Sequence, residues 1–523
     1  MPYAIDLFCG AGGFSEGILQ AGFDIIFSSD RSPMVQETYM NRHEQLGLVQ
    51  GVDTWFELAD IKELTAEYIF EKINSLKYGA VFEPEKVDVM FGGPPCQGFS
   101  RLGKRNASDP RNMLFHEYLR LIKDIKPKYV VMENVTGIMD MQMLDFPSVL
   151  EDGKVYRGQI LTPEILKCEL EGLGYIVLDF KRLNAADFGV PQQRNRAIFL
   201  AYRRDVHPIS YPKEEKSTVN VRDAFGDLYD ELKYSTTFSK EAVEGRTPSR
   251  LTGKPIARTV TTNSEQSKHN APVVQRFQLY HEGENTRNVL ARLREEGIDL
   301  RGLYPELFYE CLFQMNVKEN VRLIKQFLER FQFCKDKKLN DKWYSYTNKQ
   351  LAVIYTLEAE GGGVRERERA VGALRKRLGV KKEEAEEFWN GIKTRLNSSI
   401  DSNRLNNMLI QGDITPDLAE ALFTKKDIRA RLNSQGVSPT MVTLPDDFIH
   451  PYFDRILTVR EMARLQSFDD SFTFLGKRTT GGDKRASETP QFTQVGNAVP
   501  PLLARAIAKA AYEACQKDKD RTD

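Results

Sequence analysis

The sequence predicts an α/β fold with a mostly parallel sheet, helices on both faces, and a smaller, largely helical second domain. Over the first 205 residues, short runs rich in β-branched and aromatic residues alternate with amphipathic stretches, as in strands joined by helices. From about residue 286 to 432 the pattern becomes strongly helical and charged. At 523 residues the chain is too long for one ordinary core, so we expect two or more domains.

The individual elements of the first region can be placed along the chain. Because parallel strands end at one edge of a sheet, we expect functional residues where these strands end. The predicted strands are 4–8, 24–28, 87–91, 129–132, 175–180 and 197–202. The predicted helices are 13–21, 32–42, 113–125 and 163–173. Further helices are expected at 320–333, 365–378 and 502–515.

Three segments are expected from this pattern: 1–205, 206–448 and 449–523. The second segment begins as a proline-punctuated, loop-rich passage and continues as the helical region. Its charged run at 364–370 is most simply a solvated helix face with i,i+4 ion pairs. Short strands are expected to flank the helices at 258–262 and 438–443, where hydroxyl groups are available for phosphates.

The overall composition indicates the cellular compartment of the protein but does not identify its binding partners. The 74 basic and 74 acidic residues give a formal net charge of zero, which neither indicates nor excludes nucleic acid. No apolar run is long enough to cross a bilayer, and no secretory signal opens the chain. The six cysteines include no Cys-x-x-Cys pair, which favours a reducing cytoplasm and argues against a metal site.

A glycine-rich loop follows the first predicted strand and opens a helix. Glycines allow the backbone to approach a ligand closely, although the spacing from Gly10 to Gly13 is not the usual dinucleotide fingerprint and also fits a tight turn. Asp30 ends the second strand, where an acid commonly binds ribose hydroxyls. Asp60 could accept from an adenine amino group while Ile61 packs on the ring. Each acid alone could be a helix cap, but together they indicate an adenosine site.

A cysteine is held between restrictive residues at the end of another strand, in Gly-Gly-Pro-Pro-Cys-Gln-Gly-Phe-Ser, 92–100. The two prolines restrict the backbone before Cys96, and the following glycine permits a sharp departure. Such a frame suits a thiolate nucleophile that must meet an electrophile at a set angle. Cys168 and Cys311, in contrast, suit packing as buried small hydrophobic residues.

Charged residues end the next strands along the chain. Glu133 follows an apolar run, and loss of hydration there favours its acid form as a proton donor. Arg194 and Arg196 share one face of a predicted strand by period-two alternation. Two guanidinium groups there are suited to bind the carbonyl oxygen of a flipped base and nearby phosphates, or to orient acidic side chains. The alternative is that the segment is simply a solvated edge strand.

These motifs, in this order, resemble the DNA (cytosine-5) methyltransferases of bacterial type. The resemblance covers about the first 205 and the last 75 residues. The matching blocks are 6–17, 30, 60–61, 93–100, 133–135, 192–196, 455–468 and 494–501. It implies a Rossmann-like catalytic domain at 1–205 that binds S-adenosylmethionine, a target-recognition region at 206–448, and a C-terminal return at 449–523 that completes the catalytic domain.

The resemblance also implies a reaction. Cys96 would attack carbon 6 of a cytosine extruded from the duplex, and Glu133 would hydrogen-bond and protonate ring nitrogen 3. Carbon 5 would then accept the methyl group, and loss of its proton with elimination of Cys96 would restore the ring. Arg194 and Arg196 would support Glu133 and the base, with Arg196 at the base oxygen.

Other residues receive binding and support roles from the same resemblance. Phe14 would contact adenine, Asn497 would reach the methionine end of the cofactor, and Asn134 would brace the Pro-Cys loop. The cofactor-binding residues implied are Asp6, Phe8, Gly10, Gly12, Gly13, Phe14, Asp30, Asp60, Ile61, Pro95, Leu114 and Asn497. The residues implied to support the substrate or its loop are Gln97, Ser100, Asn134 and Gln192.

Two departures and two alternatives accompany this interpretation. The family usually has glutamate where Asp30 stands, and the interval between the arginine strand and Arg455 is unusually long. The alternatives are a transfer-RNA cytosine-5 methyltransferase of the same fold and a catalytically inactive DNA-binding regulator. We expect a prokaryotic or phage enzyme that acts as a monomer on double-stranded DNA, in the cytoplasm and nucleoid-associated when bound, beside a cognate restriction endonuclease.

Overall fold

The computed structural model describes residues 1–95, 113–215, 218–229, 234–329, 351–352, 354–355, 358, 364–424, 428–480 and 488–522. These residues divide into two compact units. The first unit comprises residues 1–265, 434–445 and 457–523, and the second comprises 266–433 and 446–456. The first unit therefore extends beyond the segment boundary expected at residue 205, and it takes in residues from both ends of the chain.

The core of the first unit is an eight-stranded sheet. Its strands are β1 (Tyr3–Leu7), β2 (Asp24–Asp30), β3 (Trp55–Leu58), β4 (Val89–Gly92), β5 (Tyr129–Val135), β8 (Tyr175–Val177), β9 (Lys181–Asn184) and β10 (Asn195–Arg203). The order is β3-β2-β1-β4-β5-β10-β8, with β9 also paired to β10. The strands from β3 to β5 are parallel to one another, and β10 is antiparallel to each of its neighbours. The mostly parallel α/β fold predicted from the sequence is confirmed.

Helices connect these strands as the alternation predicts. The helices are α1 (Gly13–Ala21), α2 (Pro33–Gln45), α3 (Ala66–Asn74), α4 (Met113–Ile125), α5 (Thr162–Gly172), α6 (Val221–Phe225) and α7 (Thr237–Glu244). The predicted bounds of α1 and α4 are those observed, and α2 begins and ends later than expected. Fully buried aliphatic and aromatic side chains of β1, β4 and β5 form the core with α3 and α4.

Several elements differ from the prediction. β3, β9 and a hairpin of β6 (Gln142–Pro147) and β7 (Val155–Leu161) were not expected. β6 and β7 mix exposed and partly buried positions, so their sequences lack a continuous apolar run. The strand expected at 258–262 does not form, and Ser438 makes an isolated bridge with Gln192 rather than a strand. Cys168 is exposed, contrary to expectation, whereas Cys311 is buried.

The second unit is largely helical. Its helices are α8 (Ala271–Gln278), α9 (Thr286–Glu296), α10 (Leu300–Leu303), α11 (Pro305–Met315), α12 (Val317–Leu328), α13 (Val364–Leu378), α14 (Lys382–Ile392), α15 (Ser402–Ile410) and α16 (Pro416–Phe423). Side-chain caps begin several of these helices; Asn285, for example, accepts from the backbone amides of Arg287 and Asn288. A short parallel pair, β11 (Ala430–Arg431) and β12 (Phe448–Ile449), accompanies them.

The C-terminal part of the first unit contains α17 (Val459–Leu465), α18 (Gln491–Asn497) and α19 (Pro501–Thr522). Helix α19 packs against α1 at van der Waals distance between backbones. A Cβ atom at Gly17 would lie 2.4 Å from the backbone nitrogen of Arg505, and one at Gly13 would lie 2.4 Å from the carbonyl oxygen of Val499. The glycines therefore permit a contact that any side chain would obstruct. None of the helices among the described residues is long and apolar enough to cross a membrane.

This contact gives a stability prediction for Gly17→Ala. The added methyl group would force α1 away from α19, and we expect a loss of about 1–3 kcal/mol in the free energy of unfolding. Gly372→Ala in α13 is the control, because a Cβ atom there meets no atom within 4 Å. The control should be neutral or stabilising by up to about 1 kcal/mol, from helix propensity. Urea denaturation measures both; equal effects of the two substitutions would contradict the packing argument.

Candidate active site

The parallel strands bring four functional segments to one edge of the sheet. Leu7 at the end of β1 is in register with Ser29 of β2 and Gly92 of β4, and Gly92 is in register with Met132 of β5. The glycine-rich loop directly follows β1, Asp30 ends β2, Gly93 follows β4, and Glu133 lies two residues before the end of β5. The register thus places the predicted cofactor and nucleophile segments at neighbouring positions of the carboxyl edge.

The glycine-rich loop has a backbone that ordinary residues rarely adopt. Phe8, Gly10 and Gly12 have φ angles of 58°, 54° and 97°. The amide of Gly10 donates to Oδ2 of Asp30 over 3.2 Å, which links the loop to the end of β2. A Cβ atom at Gly10 would meet no atom within 4 Å, so open space adjoins the backbone there.

Asp30 and Asp60 lie where the sequence places them, each ordered by backbone amides. Oδ1 of Asp30 accepts from Ser32 N over 2.9 Å. Burial raises the pKa of Asp30, and the amides of Ser32 and Gly10 partly oppose this shift. Asp60 caps a 3-10 turn, its Oδ1 accepting from Lys62 N over 3.2 Å, and Ile61 beside it is buried.

Two residues predicted to bind the cofactor are core residues in this structure. The Asp6 carboxyl group is 1% exposed, and its Oδ2 accepts a 2.6 Å hydrogen bond from the hydroxyl of Ser15. Burial raises the pKa of Asp6 to about 7, although the Ser15 hydrogen bond opposes the shift and Asp30 adds to it. Phe14 is 4% exposed and packs edge-to-face on Phe91, with ring centroids 5.3 Å apart. Both residues therefore support the loop from beneath.

The Pro-Cys loop is anchored on the neighbouring strand. Nδ2 of Asn134 donates to the carbonyl of Pro94 over 2.9 Å, in a fully buried contact, as predicted for a residue that braces this loop. A Cβ atom at Gly93 would lie 3.3 Å from Oε2 of Glu133, so the loop passes close to that carboxyl group. Pro95 is partly buried and Leu114, in α4, is buried. Cys96, Gln97 and Ser100 lie outside the described residues.

Glu133 and Arg196 form the central ion pair of the site. Nε of Arg196 lies 2.6 Å from Oε1 of Glu133, and both side chains are about one-tenth exposed. Arg196 is in register with Val135 of β5 across the antiparallel pair, which brings the guanidinium group beside Glu133. A buried carboxylate and guanidinium at this distance form a strong, charge-assisted hydrogen bond. Sequence reasoning expected lost hydration to act on Glu133; the structure adds a guanidinium partner that holds the Glu133 side chain in place.

Arg194 has a different position from Arg196. Its guanidinium group is 2% exposed and donates to the carbonyls of Met441, over 3.0 Å, and Gly496, over 2.8 Å. Arg194 thus holds together two segments that are distant in sequence. Asn497 follows Gly496, and Ala498 reaches Gly13 so closely that a Cβ atom at Gly13 would lie 3.0 Å from the Ala498 Cβ. Asn497 itself is exposed, next to the start of α1.

Gln192 extends this bracing. Its amide nitrogen donates over 3.1 Å to both the Leu465 carbonyl and Oε1 of Gln466, and its oxygen accepts from Met441 N over 2.8 Å. The amide of Gln466 in turn donates to Val495 over 2.8 Å. Sequence reasoning included Gln466 in a matching block without assigning it a role. Membership of that block was the only feature of the sequence that pointed to Gln466, because neighbouring residues do not show which groups a buried glutamine will hydrogen-bond.

The charged residues of the 455–468 block serve the fold. The Arg464 guanidinium is fully buried between Asp470, at 2.5 Å, and Asp227, at 2.8 Å. Glu461 caps α17 with Thr458, and burial raises the pKa of Glu461 to about 8. Arg464 and Glu461 thus each have partners within the first unit and stabilise its fold.

The edge of the sheet has features that fit a nucleoside-bearing sulfonium cofactor. Open space adjoins Gly10, where no Cβ atom obstructs a ligand. Asp30 presents a carboxylate suited to a diol at the end of β2, and Asp60 a second acceptor beside the apolar Ile61. The two carboxylate acceptors and the glycine backbone thus match an adenosine and its ribose in kind.

Comparisons with known proteins agree in sequence and in fold. The model of the family described as C-5 cytosine-specific DNA methylase matches residues 3–513. The type II methyltransferase M.AgeI of Thalassovita gelatinovora is 28% identical over 97% of this chain and 98% of its own length. M.DdeI of Desulfomicrobium norvegicum and M.XorII of Xanthomonas oryzae pv. oryzae are each 26% identical, over 97% and 99% of this chain and 87% of their own lengths.

A solved structure shares the fold. It is described as a DNA modification methyltransferase encoded within a prophage of E. coli. It superposes with a TM-score of 0.54 at 19% sequence identity, over 99% of this chain and the whole of the other. The central sheet with its helices is therefore the fold of that methyltransferase, as expected.

The buried carboxyl group beneath the glycine loop gives a pH prediction. Because the pKa of Asp6 is raised to about 7 in the folded chain, ionisation favours the unfolded state as pH rises from about 4 to about 7. Asp6→Asn removes this penalty and keeps an oxygen acceptor for Ser15. Relative to the wild type, the variant should gain about 4 kcal/mol in unfolding free energy across that pH range.

Urea denaturation at several pH values measures this gain. Asp152→Asn, at an exposed position, is the matched control for the loss of one carboxyl group. A difference between Asp6→Asn and wild type that stays constant from pH 4 to pH 7 would contradict the buried acid.

Proposed function

Because the chain belongs to the C-5 cytosine-specific DNA methylase family, we propose that Cys96 and Glu133 together activate the target cytosine. The protein is an enzyme that transfers a methyl group from S-adenosylmethionine to carbon 5 of cytosine in DNA. The observation that best supports the roles of individual residues is the Glu133–Arg196 ion pair beside Gly93, which directly precedes the Pro-Cys loop.

In the proposed mechanism, the Cys96 thiolate adds to carbon 6 of an extruded cytosine. Glu133 hydrogen-bonds ring nitrogen 3 and delivers a proton to it, so the negative charge does not accumulate on the ring and carbon 5 becomes nucleophilic. Bound S-adenosylmethionine supplies an electrophilic methyl group for carbon 5. The carbon 5 proton is lost to solvent, the Cys96 sulfur departs as thiolate, and the ring nitrogen 3 proton returns to Glu133, which restores the aromatic ring and both catalytic groups.

Arg196 and Asn134 prepare these groups before the base arrives. Arg196 fixes the rotamer of Glu133 through a 2.6 Å contact and can turn its remaining N–H groups to the carbonyl oxygen of the base. Asn134 fixes the Pro94 carbonyl and hence the start of the loop that carries Cys96. Arg194 and Gln192 act one step further away, because they hold the Gly496 and Met441 segments in place.

The proposed cofactor residues surround the glycine loop. Asp30 binds the ribose hydroxyls, Asp60 the adenine amino group, and Ile61, Pro95 and Leu114 line the base. The backbone of Gly10 and Gly12 admits the cofactor closely, and Asn497 approaches its methionine end from the C-terminal segment. Asp6, Phe8, Gly13 and Phe14 hold the loop in shape. The shorter Asp30, where the family usually has glutamate, is anchored by the Gly10 and Ser32 amides, which point it into the loop.

We also propose a division of labour along the chain. The first unit, with its N-terminal and C-terminal segments, performs the chemistry, and the helical second unit contributes to target recognition. Type II methyltransferases among the relatives suggest a cognate restriction endonuclease as a functional partner. Because the substrate is DNA, we propose that the enzyme works as a monomer on the nucleoid in the cytoplasm. The relatives named favour DNA over transfer RNA as the substrate.

The role of Glu133 can be tested with Glu133→Gln. The amide keeps the shape but cannot deliver the proton, so DNA and cofactor should still bind while the single-turnover rate falls by about 100-fold or more. Glu71→Gln, at an exposed position on α3, is the control for a carboxyl-to-amide change. Rapid-quench kinetics with labelled methyl donor measure the rate. An unchanged single-turnover rate would exclude this role.

The nucleophile is tested with duplexes that contain 5-fluorocytosine at the methylated position. Fluorine cannot leave as a proton does, so the adduct should remain on Cys96, and Cys96→Ser should form none. Bisulfite sequencing of DNA from a host that expresses the chain identifies the target beforehand. Mass spectrometry of the trapped peptide identifies the residue that carries the adduct, and an adduct on a residue other than Cys96 would overturn the mechanism. Methyl groups found on adenine in the DNA would also overturn it.

A further inference from the structure

A compact group of basic side chains lies where α13 (Val364–Leu378) turns into α14 (Lys382–Ile392). Residues 375–382 read Arg-Lys-Arg-Leu-Gly-Val-Lys-Lys, five basic residues and no acidic one, in a chain whose net charge is zero. We call these five residues the basic elbow: Arg375, Lys376, Arg377, Lys381 and Lys382. Arg375, Lys376, Lys381 and Lys382 are exposed.

The elbow is rigidly held from below. Leu374 and Leu378 of α13 and Phe388 of α14 are each 1% exposed and belong to one hydrophobic cluster. Gly379 has a φ of 68°, the left-handed conformation that ends a helix and allows a short turn into the next one. The basic side chains therefore stand on a fixed backbone rather than on a loop, and ordering them on a partner costs only side-chain entropy.

Pairing along α13 does not balance Arg375 and Lys376, whereas Glu384 and Glu386 follow Lys381 and Lys382 at three and four residues on α14. A solvated basic face is usually balanced by acids three or four residues away. For Arg375 and Lys376, the residues at those distances are Val371, Gly372, Ala373, Leu378, Gly379 and Val380, none of them acidic. Lys382 lies 3.6 Å from Glu368, but both side chains are about half exposed, so this contact is weak. The repulsion within the elbow therefore favours a negatively charged partner.

The distribution of charge also indicates how a polyanion would be bound. Four glutamates follow directly on α14, at 383, 384, 386 and 387. A helix with these glutamates would be repelled from a groove lined by phosphates. The connection of α13 and α14 through a glycine turn is that of a helix-turn-helix, but α14 is therefore not its recognition helix. The elbow has five basic residues with no acidic residue between them, and lysine and arginine at exposed positions suit phosphate oxygens without regard to sequence.

We propose that the basic elbow binds the sugar-phosphate backbone of the duplex that the enzyme methylates. This inference rests on the proposed function, because it takes duplex DNA as the substrate. The elbow adds affinity that is independent of base sequence, through release of the counterions condensed on the phosphates. Recognition of the target bases and the methyl transfer itself belong to other residues.

The test compares two variants that each remove four positive charges. The elbow variant is Arg375→Ser, Lys376→Ser, Lys381→Ser and Lys382→Ser. The control removes four exposed basic residues spread over other helices of the second unit, with Arg287→Ser, Lys318→Ser, Arg322→Ser and Arg404→Ser. Fluorescence anisotropy gives Kd for target and non-target duplexes from 50 to 300 mM NaCl, and single-turnover methylation is measured at saturating DNA.

We expect the elbow variant to bind both duplexes about 10–100-fold more weakly at low salt. The slope of log K against log salt should fall in magnitude by about 2–4, because each phosphate that is no longer neutralised lowers it by about one unit. Its rate at saturating DNA should equal that of wild type. A Kd and slope equal to those of the control would overturn the proposal, as would weaker binding of the target duplex alone. A second elbow variant, with Arg375→Lys in place of Arg375→Ser, should recover part of the slope because it keeps the charge at that position.

The outcomes separate this inference from the proposed function. If the proposed function were wrong, neither wild type nor variant would methylate cytosine, whatever their affinities. If only the elbow proposal were wrong, the elbow variant would still methylate cytosine, and its Kd and salt dependence would match those of the control variant. Circular dichroism and the denaturation midpoint of each variant establish that a weaker affinity does not reflect unfolding of the second unit.

Discussion

The close contact between α1 and α19 is the constraint on which the rest of the site depends. Only glycine at positions 13 and 17 lets the two backbones meet, and this contact brings the C-terminal segment to the loop that follows β1. Ala498 and Val499, directly after Asn497, meet Gly13. The bonds of Arg194 and Gln192 to Gly496, Met441 and Gln466 also hold the segment. The N-terminal and C-terminal parts of the first unit thus pack as one compact body.

The ion pair of Glu133 and Arg196 shows how the same residues serve stability and reactivity. A buried carboxylate without a partner would cost several kilocalories per mole, and Arg196 offsets that cost while the site waits for substrate. In the proposed mechanism, an extruded cytosine offers Glu133 a hydrogen-bonding partner while the Arg196 guanidinium group keeps its contact with the Glu133 carboxyl group. The geometry therefore favours a carboxyl group that is already oriented when the base arrives.

Much of this arrangement could be predicted from the sequence, and the rest could not, for physical reasons. The alternation of apolar runs and amphipathic stretches predicted the parallel sheet, and the family, cofactor and DNA substrate are confirmed. The family resemblance implied that Asn134 would brace the loop, and its bond to Pro94 agrees with that role. β6 and β7 were missed because polar residues interrupt their apolar runs. Cys168 was misplaced because a helix position gives no indication of its exposure. Asp6 and Phe14 face the core because side chains 9 and 77 residues away, Ser15 and Phe91, meet them there. Such pairings depend on the tertiary structure alone.

The distance along the chain between the two helices of the α1–α19 contact has a consequence for biosynthesis. About 480 residues separate the end of α1 from the start of α19, so a ribosome needs on the order of a minute to make the second helix after the first. During that interval the face of α1 that will contact α19 has no permanent cover. The glycine-rich loop also lacks the C-terminal segment that packs against Gly13. A chaperone that shields nascent α1 would therefore matter more to the yield of this enzyme than to one assembled from consecutive segments.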